Sequence, residues 1–330
     1  MPRITVIVPV YNEQAHLNET LAGLANQTLP VSEYEVLLID GGSTDQTLKI
    51  AAEFQQHFAC LQILHNPKRY SSSARNIGVR HAKGEYLLIV DGHCAVKNPS
   101  YLQNVIQAFD RSGADCLGRP QPLETAHPTS FQKAVSVARQ SWLGHNPDSA
   151  IYSSKEQFVA ADNVAVAYHK SVFEKIGFFD ERFDACEDVD FNVRARKAGL
   201  TCYFTPEIAL DYKPRATPKG LIYQMMRYGQ GRARLGKKDP SSITLPSLVP
   251  PFLVLWLAGT AVAAVLSQTG LLVFAASVAC YMIVILGESI RTSLSNTTGG
   301  ISFWRVILVF LSIHFGFAWG YIKESVAVRR

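Results

Sequence analysis

Leu87-Leu88-Ile89-Val90-Asp91-Gly92-His93 is the stretch on which the fold prediction rests. Its first four residues form an apolar run, which is typical of a central strand buried on both faces of a parallel sheet. Asp91 and His93 follow at the carboxyl end of this strand, where open α/β sheets bind their ligands. A carboxylate and an imidazole two residues apart can both turn towards one divalent cation or a cation-bound diphosphate. Asp and Gly after a strand also form ordinary turns, so a simple turn is the alternative to a metal site.

The residues on either side repeat a pattern of strand, loop and helix. Short apolar runs that predict strands stand at 4–9, 35–40, 61–65, 115–118 and 164–168, and helical patterns stand at 17–24, 46–57, 71–81, 101–111, 130–142 and 172–176. Short strands that alternate with longer helices indicate βαβ units. The sequence therefore predicts an α/β domain with a mostly parallel central sheet. Residues 144–156 are polar and turn-rich, which predicts a mobile loop over a cleft.

The chain changes character near residue 240. Between Pro246 and Ile285 it has no Asp, Glu, Lys, Arg or His. Uncharged runs of this length are typical of membrane-spanning helices. We expect a soluble domain at 1–240 and a membrane domain at 241–330, with about three spans near 248–267, 270–286 and 306–322. The last two spans are short, so they could be tilted less or partly interfacial. The alternative is a hydrophobic helical hairpin that packs on the soluble domain or on a partner.

Basic residues just ahead of the first span predict the orientation. Part of the net charge of +5 lies at Arg227, Arg232, Arg234, Lys237 and Lys238. Under the positive-inside rule this segment, and with it the N-terminal domain, is cytoplasmic. We therefore expect a multi-pass protein of the inner (plasma) membrane. Three crossings would put the basic tail 323–330 on the far side, so either one segment is not a full crossing or the first signal dominates.

Other classes of protein are disfavoured by the same composition. The six cysteines show no CxxC pair and no zinc spacing, and they fit a reducing cytosol. No secretory signal is expected ahead of the first strand, because its apolar run is only six residues long. The basic cluster is explained by the membrane border, so no nucleic-acid partner is expected.

Acids and a cation donor stand on four separate loops or helix ends. They are Asp40, Arg75, Asp91 with His93, and the pair Glu187-Asp188. Each has a structural alternative: a turn cap, a surface ion pair, or an acidic first helical turn favoured by the helix dipole. Successive βα loops meet at one edge of a sheet, so Asp40 and Asp91 are expected to share a crevice. There a cation could neutralise a diphosphate leaving group, and an acid across the cleft could deprotonate an acceptor hydroxyl.

These residues carry a resemblance to a known family. The sequence resembles family 2 glycosyltransferases of the Rossmann-like, nucleotide-sugar-binding GT-A fold, and in particular membrane-anchored bacterial exopolysaccharide enzymes of the succinoglycan type. The matching segments run in family order: Val8-Pro9-Val10-Tyr11-Asn12-Glu13, Ile39-Asp40-Gly41-Gly42-Ser43-Thr44-Asp45, Ala74-Arg75-Asn76-Ile77-Gly78, Asp91-Gly92-His93, Glu187-Asp188 and Gln224-Met225-Met226-Arg227-Tyr228. Each segment alone is weak evidence for the family, whereas six segments in the family's order are specific evidence.

The resemblance implies roles for the donor-side residues. The nucleotide is expected to contact Pro9, Tyr11, Glu13, Asp40, Arg75 and Asp91, with Asp40 on the base. Asp91 and His93 fill the place of the Asp-x-Asp motif that holds Mg²⁺ or Mn²⁺ on the diphosphate. His93 departs from the second acid of that motif, and Gly41 stands where many relatives have another Asp.

The resemblance also implies the catalytic side. Asp188 looks like the catalytic base, with Glu187 as the less favoured candidate. Gln224, Arg227 and Tyr228 resemble the Gln-x-x-Arg-Trp element that contacts diphosphate or acceptor, with Tyr in place of Trp. The segment 224–238 is expected to border both the active site and the membrane, with its cations drawn to anionic headgroups.

The implied function is an inverting, metal-dependent hexosyltransferase of polysaccharide biosynthesis. It would move one sugar, non-processively, from a nucleotide-sugar donor, most simply a UDP-sugar, to a lipid-linked saccharide acceptor at the cytoplasmic membrane face. One alternative is transfer to a simple lipid phosphate or diacylglycerol. Another is an inactive nucleotide-sugar-binding subunit of a membrane assembly.

Overall fold

The computed structural model describes residues 1–125, 127–145, 149–295 and 301–327, with only the backbone at Asn163. The chain forms two compact units. The first comprises residues 1–123 and 148–213, and the second comprises residues 124–147 and 214–330. Residues 146–148 of the predicted loop and residues 328–330 of the basic tail lie outside the described part.

The helices and strands alternate along the first unit and give way to helices in the second. The strands are β1 (Ile4–Val10), β2 (Tyr34–Asp40), β3 (Leu61–His65), β4 (Tyr86–Ile89), β5 (Cys94–Ala95), β6 (Cys116–Gly118), β7 (Gln157–Val159), β8 (Ala165–His169), β9 (Cys202–Phe204) and β10 (Asp211–Tyr212). The helices are α1 (Leu17–Ala25), α2 (Thr47–Phe54), α3 (Ser71–His81), α4 (Tyr101–Ser112), α5 (Ser130–Arg139), α6 (Ala161–Val164), α7 (Ser171–Ile176), α8 (Glu187–Lys197), α9 (Pro218–Lys238), α10 (Leu245–Leu266), α11 (Gln268–Leu294) and α12 (Phe303–Val326).

In the described part of the first unit, the central sheet has eight strands in the order β3-β2-β1-β4-β8-β6-β9-β7. The first four strands of this order are parallel to one another. β8 runs antiparallel to both β4 and β6, and β7 runs antiparallel to β9. The sheet is therefore mostly parallel, which confirms the predicted fold class.

Alternate residues of the central strands enter different hydrophobic cores. Val6 and Val8 of β1 belong to one cluster with Leu21 and Leu24 of α1. Ile7 belongs to a second cluster with Ala74 of α3 and Phe191 of α8. Because side chains alternate between the two faces of a strand, a continuous apolar run is needed to fill both cores. This requirement explains why the strands are apolar throughout.

Some short elements differ from the sequence-based prediction. β7 and β9 were not predicted, and α5 ends at Arg139, three residues earlier than expected. β7 and β9 have three residues each and lack a clear periodic pattern, and they form by pairing with the existing sheet. Within residues 144–156, the described part contains a short 3₁₀ turn at Ala150–Tyr152.

Among the residues that the structure describes, the second unit contains three helices that are long and apolar enough to cross a membrane: α10, α11 and α12. They extend beyond the predicted spans at one or both ends. α9, although it precedes residue 240, belongs to this unit with them. It does so because glycines allow α9 to pack closely on α12: a Cβ at Gly229 would overlap the backbone of Phe317. The division into a glycosyltransferase domain that ends at residue 240 and a membrane domain that follows it is a functional one, and it stays a prediction.

Candidate active site

Two loops at the carboxyl edge of the sheet are held together by hydrogen bonds. In the parallel register Val10 lies opposite Asp40, so the loops that follow β1 and β2 start side by side. The Asn12 amide donates to Ser43 Oγ (2.9 Å), and the Thr44 amide donates to Asn12 Oδ1 (2.9 Å). The Glu13 amide donates to Thr47 Oγ1 (2.8 Å). The two loops therefore form one continuous wall.

Asp40 shapes the second of these loops. Asp40 is 4% exposed, and its carboxylate accepts hydrogen bonds from the amides of Gly42 (2.9 Å) and Ser43 (3.1 Å). Gly42 has φ +83°, a conformation that glycine adopts without a steric penalty. The structure thus gives Asp40 the turn-capping role, and its predicted contact with a base stays a prediction.

An exposed aromatic ring and an exposed cation lie beside this wall. Tyr11 is exposed next to Gly41, and the Arg69 guanidinium lies 6.0 Å from the Tyr11 ring centroid. Asn12 and Arg69 both have positive φ, which non-glycine residues adopt at a cost and mostly at functional loops. Pro9 lies in β1 opposite Ile39 and is partly buried. Arg69 was not among the predicted site residues, although its basic and aromatic neighbours Lys68 and Tyr70 could have suggested it.

His93 pairs with another predicted site residue, Glu13. The imidazole Nδ1 lies 3.0 Å from Glu13 Oε1, and the ring packs edge-on against Tyr212 at 5.1 Å between centroids. Both side chains of the pair are about one-fifth exposed. The contact joins the loop after β1 to the loop after β4.

Arg75 lies between acids from two different elements. Its Nη2 is 3.7 Å from Asp91 Oδ1, and its Nη1 is 3.4 Å from Glu187 Oε1. The guanidinium also lies 5.6 Å from the Phe179 ring centroid. Burial lowers the pKa of Arg75, but the carboxylates of Glu187, Asp188 and Asp91 outweigh it, so the pKa is raised and the cation is kept.

Glu187 and Asp188 open helix α8. Cys186 ahead of them has φ +62°, which turns the chain sharply into the helix. Asp188 is partly buried, and its Oδ1 accepts a hydrogen bond from the Val189 amide (2.8 Å). Glu187 is buried, and burial raises the pKa of its carboxyl group, with Arg75 acting in the opposite direction and Asp188 in the same one. Glu187 is thus paired with Arg75, and of the two acids Glu187 and Asp188 the more accessible one is Asp188.

The residues near Asp91 fit a cation that is shared with a substrate. The described residues contain no group of three or more His, Cys, Asp or Glu side chains that could hold a metal on their own. Mg²⁺ usually keeps several waters and is bound through one or two carboxylates together with substrate phosphates. A partly exposed Asp91 fits this mode as the carboxylate. His93, with Nδ1 directed to Glu13, stays a predicted second ligand.

In the second unit, the predicted diphosphate and acceptor residues lie on α9. Gln224, Arg227 and Tyr228 are spaced three and four residues apart, so they share one face of the helix. Gln224 Nε2 donates to the Tyr228 hydroxyl at 3.3 Å, and Tyr228 is exposed. Their contact with diphosphate or acceptor stays a prediction.

One predicted headgroup contact on α9 is wrong. Arg234 Nε lies 3.2 Å from Glu324 Oε1, and both side chains are largely buried. Lys237 Nζ donates to the backbone carbonyl of Glu324 (2.6 Å). Arg234 therefore stabilises the packing of α9 on α12 instead of facing lipid headgroups.

Comparison with known proteins supports the family resemblance. A transferase from Methanococcus voltae named dolichyl N-acetyl-alpha-D-glucosaminyl phosphate 3-beta-D-2,3-diacetamido-2,3-dideoxy-beta-D-glucuronosyltransferase is 28% identical, with 98% of each chain covered. The succinoglycan biosynthesis protein ExoA of Rhizobium meliloti (strain 1021) is 29% identical over 74% of this chain and 73% of its own.

The fold is shared with a solved glycosyltransferase, and two family descriptions match the chain. Mannosyltransferase PcManGT from Pyrobaculum calidifontis, solved with GDP-Man and Mn²⁺, superposes with a TM-score of 0.64 at 19% identity, covering 98% of this chain and 87% of its own. This likeness confirms the GT-A fold. Residues 5–177 match the model for glycosyl transferase family 2, and residues 124–322 match that for glycosyl transferase family group 2. Since the first match spans more than half of the sequence, the chain belongs to glycosyl transferase family 2.

Proposed function

We propose that this glycosyltransferase is an inverting enzyme that moves one sugar from a nucleotide-sugar to a lipid-linked saccharide at the cytoplasmic membrane face. The observation that supports this most strongly is the position of Arg75 between Asp91 and Glu187. It ties the predicted diphosphate side of the site to the predicted base at Asp188. A single displacement needs these two sides and no enzyme nucleophile.

In this proposal Asp188 is the general base. The acceptor hydroxyl oxygen attacks the anomeric carbon of the donor sugar, and the bond from that carbon to the diphosphate oxygen breaks. The hydroxyl proton passes to the Asp188 carboxylate, and the nucleoside diphosphate leaves with the bonding electrons. Glu187 cannot easily replace Asp188, because it is buried against Arg75.

Asp91 is the residue proposed to hold Mg²⁺ or Mn²⁺ at the diphosphate, with His93 as the predicted second ligand. When bound, such a cation neutralises charge that develops on the leaving group. Arg75 contributes fixed positive charge to the same region, since its guanidinium is buried within 3.7 Å of Asp91. The complex of PcManGT with Mn²⁺ supports the use of a divalent cation.

The donor is proposed to be held by the wall of the loops after β1 and β2. Tyr11 offers an exposed ring for stacking, and the carboxylates of Glu13 and Asp40 belong to the loop after β1 and the end of β2. Our prediction from the sequence is a UDP-sugar, whereas PcManGT was solved with GDP-Man. The exposed Arg69 beside Tyr11 adds a cation next to the proposed nucleotide position.

The acceptor class is supported by the relatives and by the apolar helices. The name of the Methanococcus relative specifies a dolichyl phosphate-linked sugar acceptor, and the Rhizobium relative serves succinoglycan biosynthesis. Three candidate membrane spans in the described part of this chain are consistent with an acceptor anchored in lipid.

The test is a transfer assay with purified full-length protein in lipid nanodiscs. UDP- and GDP-sugars are each offered with a polyprenyl phosphate-linked sugar, a bare polyprenyl phosphate or diacylglycerol, with Mn²⁺ or with EDTA. We expect a glycolipid product from the lipid-linked sugar, from a UDP-sugar, and only with the cation. Product from the bare lipids would support the simpler acceptor instead.

The assay is repeated with Asp188→Asn and, as a matched control, with Glu174→Gln, an exposed acid on α7. Loss of general base catalysis typically costs about 10²–10⁴-fold in rate, so Asp188→Asn should abolish product while nucleotide binding is kept. Unchanged turnover in Asp188→Asn would place the base elsewhere. Nucleotide-sugar binding without product from any acceptor would favour the inactive binding subunit.

A further inference from the structure

The first two apolar helices of the second unit form an antiparallel hairpin. Only Ser267 separates α10 from α11. Trp256 Nε1 donates to Ser277 Oγ (3.0 Å), and a Cβ at Gly270 would overlap the backbone of Ala263. In each pair, the two residues lie almost the same number of residues before and after Ser267. This is the register expected for two antiparallel helices in contact. The start of α10 and the end of α11 therefore lie at the same end of the hairpin.

This hairpin is long enough to cross a bilayer. At 1.5 Å per residue, the 22 residues of α10 span about 33 Å and the 27 residues of α11 about 40 Å. The hydrocarbon core of a bilayer is about 30 Å thick. Only 11% of the most apolar window of each helix is buried inside the protein, as lipid-facing helices require. When both helices cross, residues 245 and 294 return to one membrane face.

The third apolar helix begins and ends near that same face. Near its start, Val306 and Ile307 of α12 share a hydrophobic cluster with Ala134 of α5 and with Ile285, nine residues before the end of α11. Near its end, Lys237 donates to the carbonyls of Glu324 (2.6 Å) and Ala327 (3.1 Å). Lys237 stands only eight residues before the start of α10. A helix whose two ends lie near the same membrane face cannot span the bilayer.

The burial of α12 agrees with this placement. Half of its most apolar window is buried, against 11% for α10 and α11. It is covered by α9 and α5, which carry Arg139, Arg234 and Lys237. If α12 crossed the membrane, these charged helices would be drawn into the hydrocarbon, where charged side chains are strongly disfavoured.

The remaining face of α12 is apolar and aromatic. Trp304, Leu308, Phe315 and Trp319 are exposed at spacings of four, seven and four residues, and the two tryptophans are 66% and 63% exposed. These spacings place all four side chains on one side of the helix. Tryptophan prefers the headgroup level of a bilayer, and a helix with one such face lies in the plane of the interface.

We propose that α12 is an interfacial helix that inserts this aromatic face into one leaflet, the leaflet at the start of α10. The occupant of the face is lipid because the α10–α11 hairpin already brings that leaflet to the helix. Within the described residues the chain then crosses the membrane twice, and the end of α12 returns to the side of the basic segment on α9. The proposal also removes the conflict between three crossings and the positive-inside rule.

The first test measures which side of the membrane three positions face. The parent protein carries Cys60→Ser and Cys280→Ser, and its other four cysteines are buried. Single cysteines are then introduced at three exposed positions, as Ser241→Cys, Gln268→Cys and Ala327→Cys. A membrane-impermeant maleimide is applied to right-side-out and inverted vesicles. We expect 241 and 327 to react from one side and 268 from the other. Reaction of 327 together with 268 would overturn the proposal, and so would reaction of 241 together with 268.

The second test measures the depth of the aromatic face with nitroxide labels at Trp304→Cys and Phe315→Cys in the same parent. These positions are eleven residues, or about 16 Å of helix, apart. The depth of each label is obtained from its accessibility to oxygen and to a water-soluble nickel complex. For an interfacial helix we expect both labels at the same shallow depth. A depth difference near 16 Å would show a crossing helix. Low accessibility to both reagents would show that a second copy of the chain covers the face, which also contradicts the proposal.

Discussion

Nη1 of Arg75 lies 3.4 Å from Oε1 of Glu187, and both residues are more than nine-tenths buried. The same guanidinium lies 3.7 Å from Asp91 Oδ1. One arginine on α3 thus connects the loop after β4 with the first turn of α8. Because these elements are more than ninety residues apart in sequence, the contact fixes the relative positions of the two acids on which the proposed chemistry depends.

Removing this arginine should destabilise the first unit. Arg75→Ala leaves Glu187 buried without its cation, and breaking a buried pair in this way costs about 3–5 kcal/mol. We expect a clearly lowered melting temperature of the full-length protein in detergent. Arg69→Ala removes an exposed arginine nearby and should leave the melting temperature within about a degree, since such surface changes cost under about 0.5 kcal/mol. Equal melting temperatures for Arg75→Ala and wild type would show that the pair does not hold the site together.

The raised pKa of Glu187 predicts a pH-dependent contribution to stability. Burial raises this pKa above the value of 4.5 for a free glutamate, so the folded chain holds the proton more tightly than the unfolded chain. The resulting stabilisation is complete below pH 4.5 and is lost as pH rises through the folded pKa. The melting temperature of wild type minus that of Glu187→Gln should therefore fall as pH rises from 4.5 to 7.5. A difference that is constant or rises over this range would mean that Arg75 outweighs burial.

Cation-dependent nucleotide binding should depend on Asp91. By titration calorimetry with a nucleoside diphosphate, we expect Mn²⁺ to increase affinity in wild type and to have no effect in Asp91→Ala. His93→Asp should keep the Mn²⁺ effect, because it adds an oxygen ligand of the kind that hard cations prefer. Since position 93 faces Glu13, the comparison is repeated with Glu13→Gln to remove like-charge repulsion. An equal Mn²⁺ effect in wild type and Asp91→Ala would refute the metal assignment.

The close packing of α9 on α12 should be sensitive to a single methyl group. A Cβ at Gly320 would overlap the carbonyl of Met226, so Gly320→Ala forces the helices apart at a cost of about 1–3 kcal/mol. Gly259→Ala and Gly287→Ala are matched controls in α10 and α11, where a Cβ meets no atom of the described residues within 4 Å. There the better helix propensity of alanine should stabilise by up to about 1 kcal/mol. The measurement is the melting temperature of each of the three variants. Equal melting temperatures would contradict the close packing of α9 on α12 at Gly320.

The central strands and the edge that carries the site could be predicted because their signals are local. The run Leu87–Val90 is apolar on both faces, and parallel strands bring Asp40 and Asp91 to one edge without any knowledge of tertiary contacts. Asp188 could be proposed only through the resemblance of its segment to a family, since an acidic first turn of a helix is common by itself.

The remaining features depend on contacts between distant residues. The pairing of His93 with Glu13 and of Arg234 with Glu324 involves partners 80 and 90 residues apart, for which the sequence carries no local pattern. The positive φ of Asn12, Arg69 and Cys186 is imposed by the surrounding loops, since none of these residue types requires it. For the same reason hydropathy predicted about three spans, of which the last two are short, whereas the coverage of α12 by α9 could be seen only in the structure.

The central claim, a single displacement with Asp188 as base, is tested most directly by the configuration of the product. An α-linked nucleotide-sugar donor is turned over by the full-length protein in nanodiscs, and the anomeric coupling constant of the transferred sugar is read by proton NMR at early times. Inversion predicts a β-linked product from wild type and no product from Asp188→Asn. An α-linked product would mean that configuration is retained, which a single back-side displacement cannot give, and would contradict the account.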